Sequence, residues 1–245
     1  MFVEFSVLEI VLTGLLFMWA GFVRSGLGFG GAALGLPFML FIYDQPVYWL
    51  PIIGAHLLFF TSLTLRTRMN NVDWNYLKYS LMYIIPPALI GVLGLLNLPN
   101  LWIVTFIYGI TLLYAVMWLF NKSFHSDNTW IDRILLVFGG YVAGTSLTGA
   151  PLMVAVYIRN VAQAQLRNTL FVLWFILVSI KMTAFATLGV DLNVLTALAL
   201  LPVAAIGHFI GLKTHDMILR NDIVFKQGIG GMLVVVSGLA LWNLY

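Results

Sequence analysis

Apolar residues in this chain fall in long unbroken runs, separated by short polar or basic connections, rather than in amphipathic stripes. Six runs stand alone: Val47–Leu65, Tyr79–Leu96, Leu101–Phe120, Asn168–Gly189, Val194–Leu212 and Gln227–Leu244. Each has about the 20 residues that a helix rising 1.5 Å per residue needs to cross a bilayer. Pro86 and Pro87 predict a kink in the second run, tolerated where neighbouring groups satisfy the freed carbonyls. Tyr48, Trp49, Trp74, Tyr79, Trp102, Trp118, Trp130, Trp242 and Tyr245 sit near run ends, where amphipathic rings meet the membrane interface.

Two apolar stretches break the pattern. Residues 5–43 are too long for one span and short for two, with Gly26, Gly28, Gly30 and Gly31 interrupting them. Residues 134–158 are interrupted by Gly144, Gly149 and Pro151. Loop cations orient both stretches, because Lys and Arg concentrate in cytoplasmic loops. Arg66, Arg68, Lys78, Lys122, Arg133, Arg159, Arg167, Lys213, Arg220 and Lys226 occupy four connections, whereas 43–46, 97–100 and 190–193 contain none. If 134–158 crossed the membrane, Arg159 and Arg167 would lie outside. If it is a re-entrant pair of half-helices, all ten loop cations share one side. The same logic makes 5–43 a re-entrant hairpin entered from outside, and places both termini outside the cytoplasm.

The expectation is an all-α polytopic membrane protein made of two inverted repeats. Each is a broken re-entrant hairpin followed by three transmembrane helices: 1–120, then a cytoplasmic linker 121–133, then 134–245. At a shift of 119 positions Gly21 meets Gly140, Val23 meets Val142 and Gly30 meets Gly149. Interrupted segments at corresponding places in two halves point to a secondary transporter. The alternative is that these glycines only let helices pack closely.

Composition agrees. Apolar residues make up 62% of the chain and charged residues 9%, too little polar surface for an ordinary soluble domain. The absence of cysteine removes disulfides, thiolate metal sites and Cys nucleophiles. A net charge of +3 without a basic cluster offers no nucleic-acid surface. The first residues lack the basic region of a signal peptide, so this segment is expected to be retained. No lipidation motif is present.

The hairpin tips carry the candidate chemistry. Half-helices beginning after Gly30-Gly31 and near Gly149-Ala150-Pro151 aim free N–H groups and positive dipole ends at the membrane interior, an anion site built from backbone. Ser25, Thr145, Ser146 and Thr148 either add hydroxyl donors or cap the half-helices. From residue 10 onward every Asp falls in a loop or at a run end, but cations do not obey that rule. Arg24 sits at the first tip, Lys181 lies within Asn168–Gly189, and His56 is central to Val47–Leu65. Intramembrane ionisable groups are costly and usually functional. A core with cations and no carboxylate favours a mobile anion and lacks the acidic ligands of a cation site. The structural alternatives are that Arg24 snorkels to the interface, that Lys181 is neutral or bonded to carbonyls, and that His56 is a buried hydrogen-bond donor. His208, near Lys213, reads as interfacial. No cofactor or metal is expected; protons are a candidate coupling ion.

The stretch Gly21-Phe-Val-Arg-Ser-Gly-Leu-Gly-Phe-Gly-Gly-Ala-Ala-Leu-Gly-Leu-Pro37 resembles the first glycine-rich signature of the sulfite exporter TauE/SafE family. Gly140-Tyr-Val-Ala-Gly-Thr-Ser-Leu-Thr-Gly-Ala-Pro151 resembles its second, with Ala150 where a glycine is usual. The segment Arg159–Arg167 is similar in place and character. The resemblance implies a bacterial inner-membrane carrier for sulfur-containing anions such as sulfite or sulfonates, or for a related carboxylate. A membrane enzyme is disfavoured: there is no HExxH and no Gly-x-Ser-x-Gly. A passive anion channel remains the rival reading, because the same donors suit a pore.

The charge asymmetry predicts that cysteines placed at Ser126 and Gln163 in this Cys-free chain are labelled from the same side by an impermeant maleimide. Labelling from opposite sides would eliminate the re-entrant hairpin.

Overall fold

All six isolated runs are helices in the computed structural model, which describes residues 5–27, 30–66, 69–122, 124–125, 127–220 and 222–244. Gly28, Arg68, Ser126 and Tyr245 lie outside the described residues. The first broken stretch is α1 (Val7–Leu27) and α2 (Gly31–Ile42), followed by α3 (Pro46–Leu65), α4 (Trp74–Asn97) and α5 (Asn100–Leu119). The second is α6 (Thr129–Ser146) and α7 (Ala150–Asn160), followed by α8 (Gln163–Thr187), α9 (Val194–Arg220) and α10 (Asp222–Leu244). No strand is present among the described residues. Asp73 caps α4 by accepting from the Tyr76 N–H, and Asn128 caps α6 by accepting from Trp130 and Ile131. Several helices outrun their apolar stretches: α9 continues to Arg220, and α8 begins at Gln163 within the arginine-bearing segment. Helix α4 remains helical through Pro86 and Pro87.

Among the described residues, seven helices are long and apolar enough to cross a membrane, one more than the isolated runs. The addition is α1. With 21 residues it is about 31 Å long, enough for a full span and longer than a half-helix. Its return arm α2 has 12 residues. The second hairpin is unequal in the same sense, with 18 residues in α6 and 11 in α7.

Each long arm lies backbone to backbone along another helix. A Cβ on Gly21 would fall 2.4 Å from the Ala204 carbonyl oxygen, one on Gly207 1.8 Å from that of Met18, and one on Gly211 2.3 Å from that of Phe22. Residue numbers rise together, so α1 and α9 run parallel. Helix α6 lies on α4 in the same way: Gly140 meets Ile84, Gly144 meets Ala88 and Gly91 meets Tyr141. Contacts in one half therefore reappear in the other (21 as 140 and 22 as 141, shifted by 119; 84 as 204 and 91 as 211, shifted by 120). Equivalent helices also pair with each other, antiparallel. Gly54 of α3 packs on Val178 and Met182 of α8, while Gly230 of α10 packs on Ala115 and Leu119 of α5. Large apolar side chains such as Leu195 and Trp242 are more than 80% exposed on the perimeter, as a lipid-facing surface requires.

These contacts predict a sharp division among glycines. Gly144→Ala and Gly207→Ala, which drive a methyl into backbone, should each lower stability in detergent by about 1–3 kcal/mol. Gly109→Ala and Gly238→Ala, with nothing within 4 Å, should melt like the parent. Thermal unfolding followed by size-exclusion chromatography measures the difference.

Candidate anion site

Helix α2 starts from Gly30, whose φ of 84° is left-handed and suits glycine. Helix α7 starts from Gly149, with Pro151 in its first turn, where a missing N–H breaks no bond. Neither start is capped by a side chain. The first backbone bonds run from Leu34 N–H to Gly30 and from Met153 N–H to Gly149. The N–H groups preceding them belong to turns with no intrahelical acceptor.

Gly31 and Gly149 fix the two arms of each hairpin. A Cβ on Gly31 would lie 2.9 Å from Ala20 O, and one on Gly149 2.2 Å from Gly139 O. Both glycines thus face their own first arm, so bulk there would part the hairpin before it filled a ligand site.

The tips flank two adjoining cavities that share Arg24, Gly31, Ala32 and Leu57. The first is a narrow space between α1, α2, α3 and α9, with His56 in its wall. The second, also narrow, brings Gly30 and Gly31 of one tip together with Ala143, Leu147 and Ala150 of the other, beside Trp174 of α8. Arg24 and Ala143 are equivalent under the 119-residue shift, as are Gly31 and Ala150. Only the first half therefore brings a charge to the second cavity. No carboxylate lines either cavity.

Several polar atoms here have no protein partner. Arg24 Nη2 is buried without an acceptor, and its guanidinium lies 4.5 Å from the centroid of the Phe60 ring. Trp174 Nε1 is buried with no acceptor. His56 Nε2 donates to Ala197 O at 2.6 Å, leaving Nδ1 buried and bare. Lys181 is 1% exposed, and its Nζ lacks an acceptor, with the Phe185 ring centroid at 5.8 Å. It lines neither cavity; it lies one turn beyond Val178, which does.

The four hydroxyls are engaged elsewhere. Thr145 donates to Tyr141 O and Ser146 to Val142 O, so in the 2.6 Å contact between Ser146 and Thr148 the threonine is the donor. Ser25 Oγ meets His208 Nδ1. They therefore neither cap α2 or α7 nor line the cavities.

The end of α1 is tied to the second half through its last carbonyls. Arg167 Nη2 donates to Ser25 O at 2.9 Å, and the His215 ring meets Gly26 O. A cation at a helix C-terminus complements its dipole. His208 is buried against Ser25. Asp132, at the start of α6, is likewise buried, and takes Arg159 at 2.7 Å and Asn160 at 3.1 Å. Trp174 and Arg167 went unrecognised among the sequence candidates. The signal for Trp174 was its place inside a run, away from the interface, where a buried indole N–H needs a partner.

A model of the family described as Sulfite exporter TauE/SafE matches residues 13–240 of the chain. Comparison with curated proteins gives no match, and none of the solved structures matches.

Charges with and without partners should respond oppositely to removal. Lys181→Met should melt no lower than the parent in ligand-free protein, since an unpaired buried cation is replaced by a stem of similar volume. Asp132→Ala should cost about 2 kcal/mol, the usual loss on breaking a buried pair discounted because Arg159 is 35% exposed. Parallel thermal melts in one detergent test both.

Proposed function

The chain belongs to the sulfite exporter TauE/SafE family, and from that premise we propose that it is a secondary carrier of a small sulfur oxyanion or organosulfonate across the bacterial inner membrane. The observation that carries the reading is the convergence of two uncapped helix starts with Arg24 and Trp174 on carboxylate-free cavities. The two buried side-chain atoms on the second cavity that have no partner, Arg24 Nη2 and Trp174 Nε1, are both donors, which suits an oxyanion. An uncompensated cation at membrane depth costs about 3 kcal/mol even on lenient scales, and a bound anion offsets that cost.

In this reading the anion sits between the tips, on Arg24 and the first-turn N–H groups that follow Gly30 and Gly149, with Pro151 contributing none. Lys181 contributes long-range positive potential from one turn away. The halves form an inverted repeat, with the basic loops cytoplasmic and both termini outside. The antiparallel pairing of equivalent helices and the recurrence of the α1–α9 contacts between α6 and α4 support this reading. Alternating access then rocks one half against the other about the bound anion. Arg167 and His215, which tie the end of α1 to α8 and α9, act as a latch on the cytoplasmic side.

Reconstituted protein should exchange sulfite with saturable kinetics, accelerated by sulfite on the far side of the bilayer. Flux that rises linearly and ignores the far side would identify a channel. Arg24→Met should reduce saturable exchange at least about tenfold, and Trp174→Phe, which removes only the N–H donor, about fivefold. Normal exchange by both folded variants would move the site elsewhere.

A further inference from the structure

The two cavities meet at Arg24 but differ in the buried groups they leave without a partner. On the Trp174 side these are donors, Arg24 Nη2 and Trp174 Nε1, beside the Thr61 hydroxyl, which can donate or accept. On the other side stands His56, 3% exposed, its ring held edge-on by Phe17 at 5.1 Å and Phe60 at 6.4 Å between centroids. Its Nε2 is 2.6 Å from Ala197 O, and a carbonyl only accepts, so Nε2 bears the hydrogen. Apart from Arg24, its cavity is walled by uncharged residues, including Phe17, Ile53, Leu57 and Ala204. An imidazolium there would face a like charge and no carboxylate, so the ring is neutral. Its bare Nδ1 is therefore an acceptor waiting for a hydrogen.

We infer that the site takes a small monoanion that carries its own N–H or O–H. Its anionic oxygens meet Arg24 and Trp174 in one cavity, and its hydrogen meets His56 Nδ1 in the other. The inference rests on the anion site proposed above and narrows its substrate class. Protonated oxyanions and amino- or hydroxy-substituted sulfonates fit. The same anion with a methyl in place of the donor would bury the His56 lone pair without a partner, a loss of about tenfold in affinity.

Sulfamate and methanesulfonate are monoanions of similar size, differing by an amino group in place of a methyl. Their binding to the purified full-length chain, measured by isothermal titration calorimetry at neutral pH, is the test. Sulfamate should bind about tenfold more tightly. In His56→Phe the two should bind alike, through loss of sulfamate affinity, while His56→Gln, which retains an acceptor oxygen, should keep part of the preference. Equal affinities in the parent would overturn the inference and leave the anion site standing, as would an undiminished preference in folded His56→Phe. Should His56→Phe not fold, the parent and His56→Gln decide. Binding of neither anion, or unaltered binding of both to Arg24→Met, would remove the anion site itself and the inference with it.

Discussion

Backbone-to-backbone contact at glycine is the constraint on which the rest of this structure depends. Lipid tails are as apolar as leucine, so helices in a bilayer gain from close packing rather than from escaping water. Gly21, Gly207 and Gly211 join α1 to α9, and Gly91, Gly140 and Gly144 join α4 to α6, at distances that leave no room for a methyl. These seams set the long arm of each hairpin against the opposite half of the molecule. Gly31 on Ala20 and Gly149 on Gly139 then set the short arms. The starts of α2 and α7 meet at one cavity as a consequence of these four seams.

The two halves share packing but not charge. Arg24 occupies the place that Ala143 takes in the second half, and the second half contributes Trp174 to the shared cavity. Near-symmetric packing therefore encloses a site with a cation and an indole donor from different halves. Paired and unpaired charges are also spatially separated. Arg159 and Asp132 neutralise each other at the start of α6, and Arg167 serves the carbonyl end of α1. Arg24 and Lys181 keep buried atoms with no acceptor. The first group holds elements together; the second leaves donors in the interior without a protein partner.

Single-letter patterns reveal little about what an individual polar residue does at such a place. Ser25, Thr145, Ser146 and Thr148 look like donors or caps from their position beside the glycines. Three of them turn back onto their own segment, and Ser25 pairs with a histidine 183 residues away. Trp174 and Arg167 were hidden for the converse reason. A tryptophan in an apolar run resembles packing, and an arginine in a basic segment resembles a loop cation, until the helix opposite each is known.

The sequence by itself determined the class of fold, the places where the helices break and the family. Runs of about 20 apolar residues leave lipid-immersed backbone one solution, the helix, and two glycine-rich motifs interrupt it at corresponding positions. Only the tertiary structure shows that α1 is one 21-residue helix lying along α9 rather than a half-helix. It alone decided which glycines pack and which turn: Gly30 has a left-handed φ, whereas Gly149 has a neighbour 2.2 Å from its missing Cβ. It also decided which polar atoms remain unpartnered. Satisfaction of a buried hydrogen bond is a property of two groups, and here the second group lies up to 189 residues away along the chain.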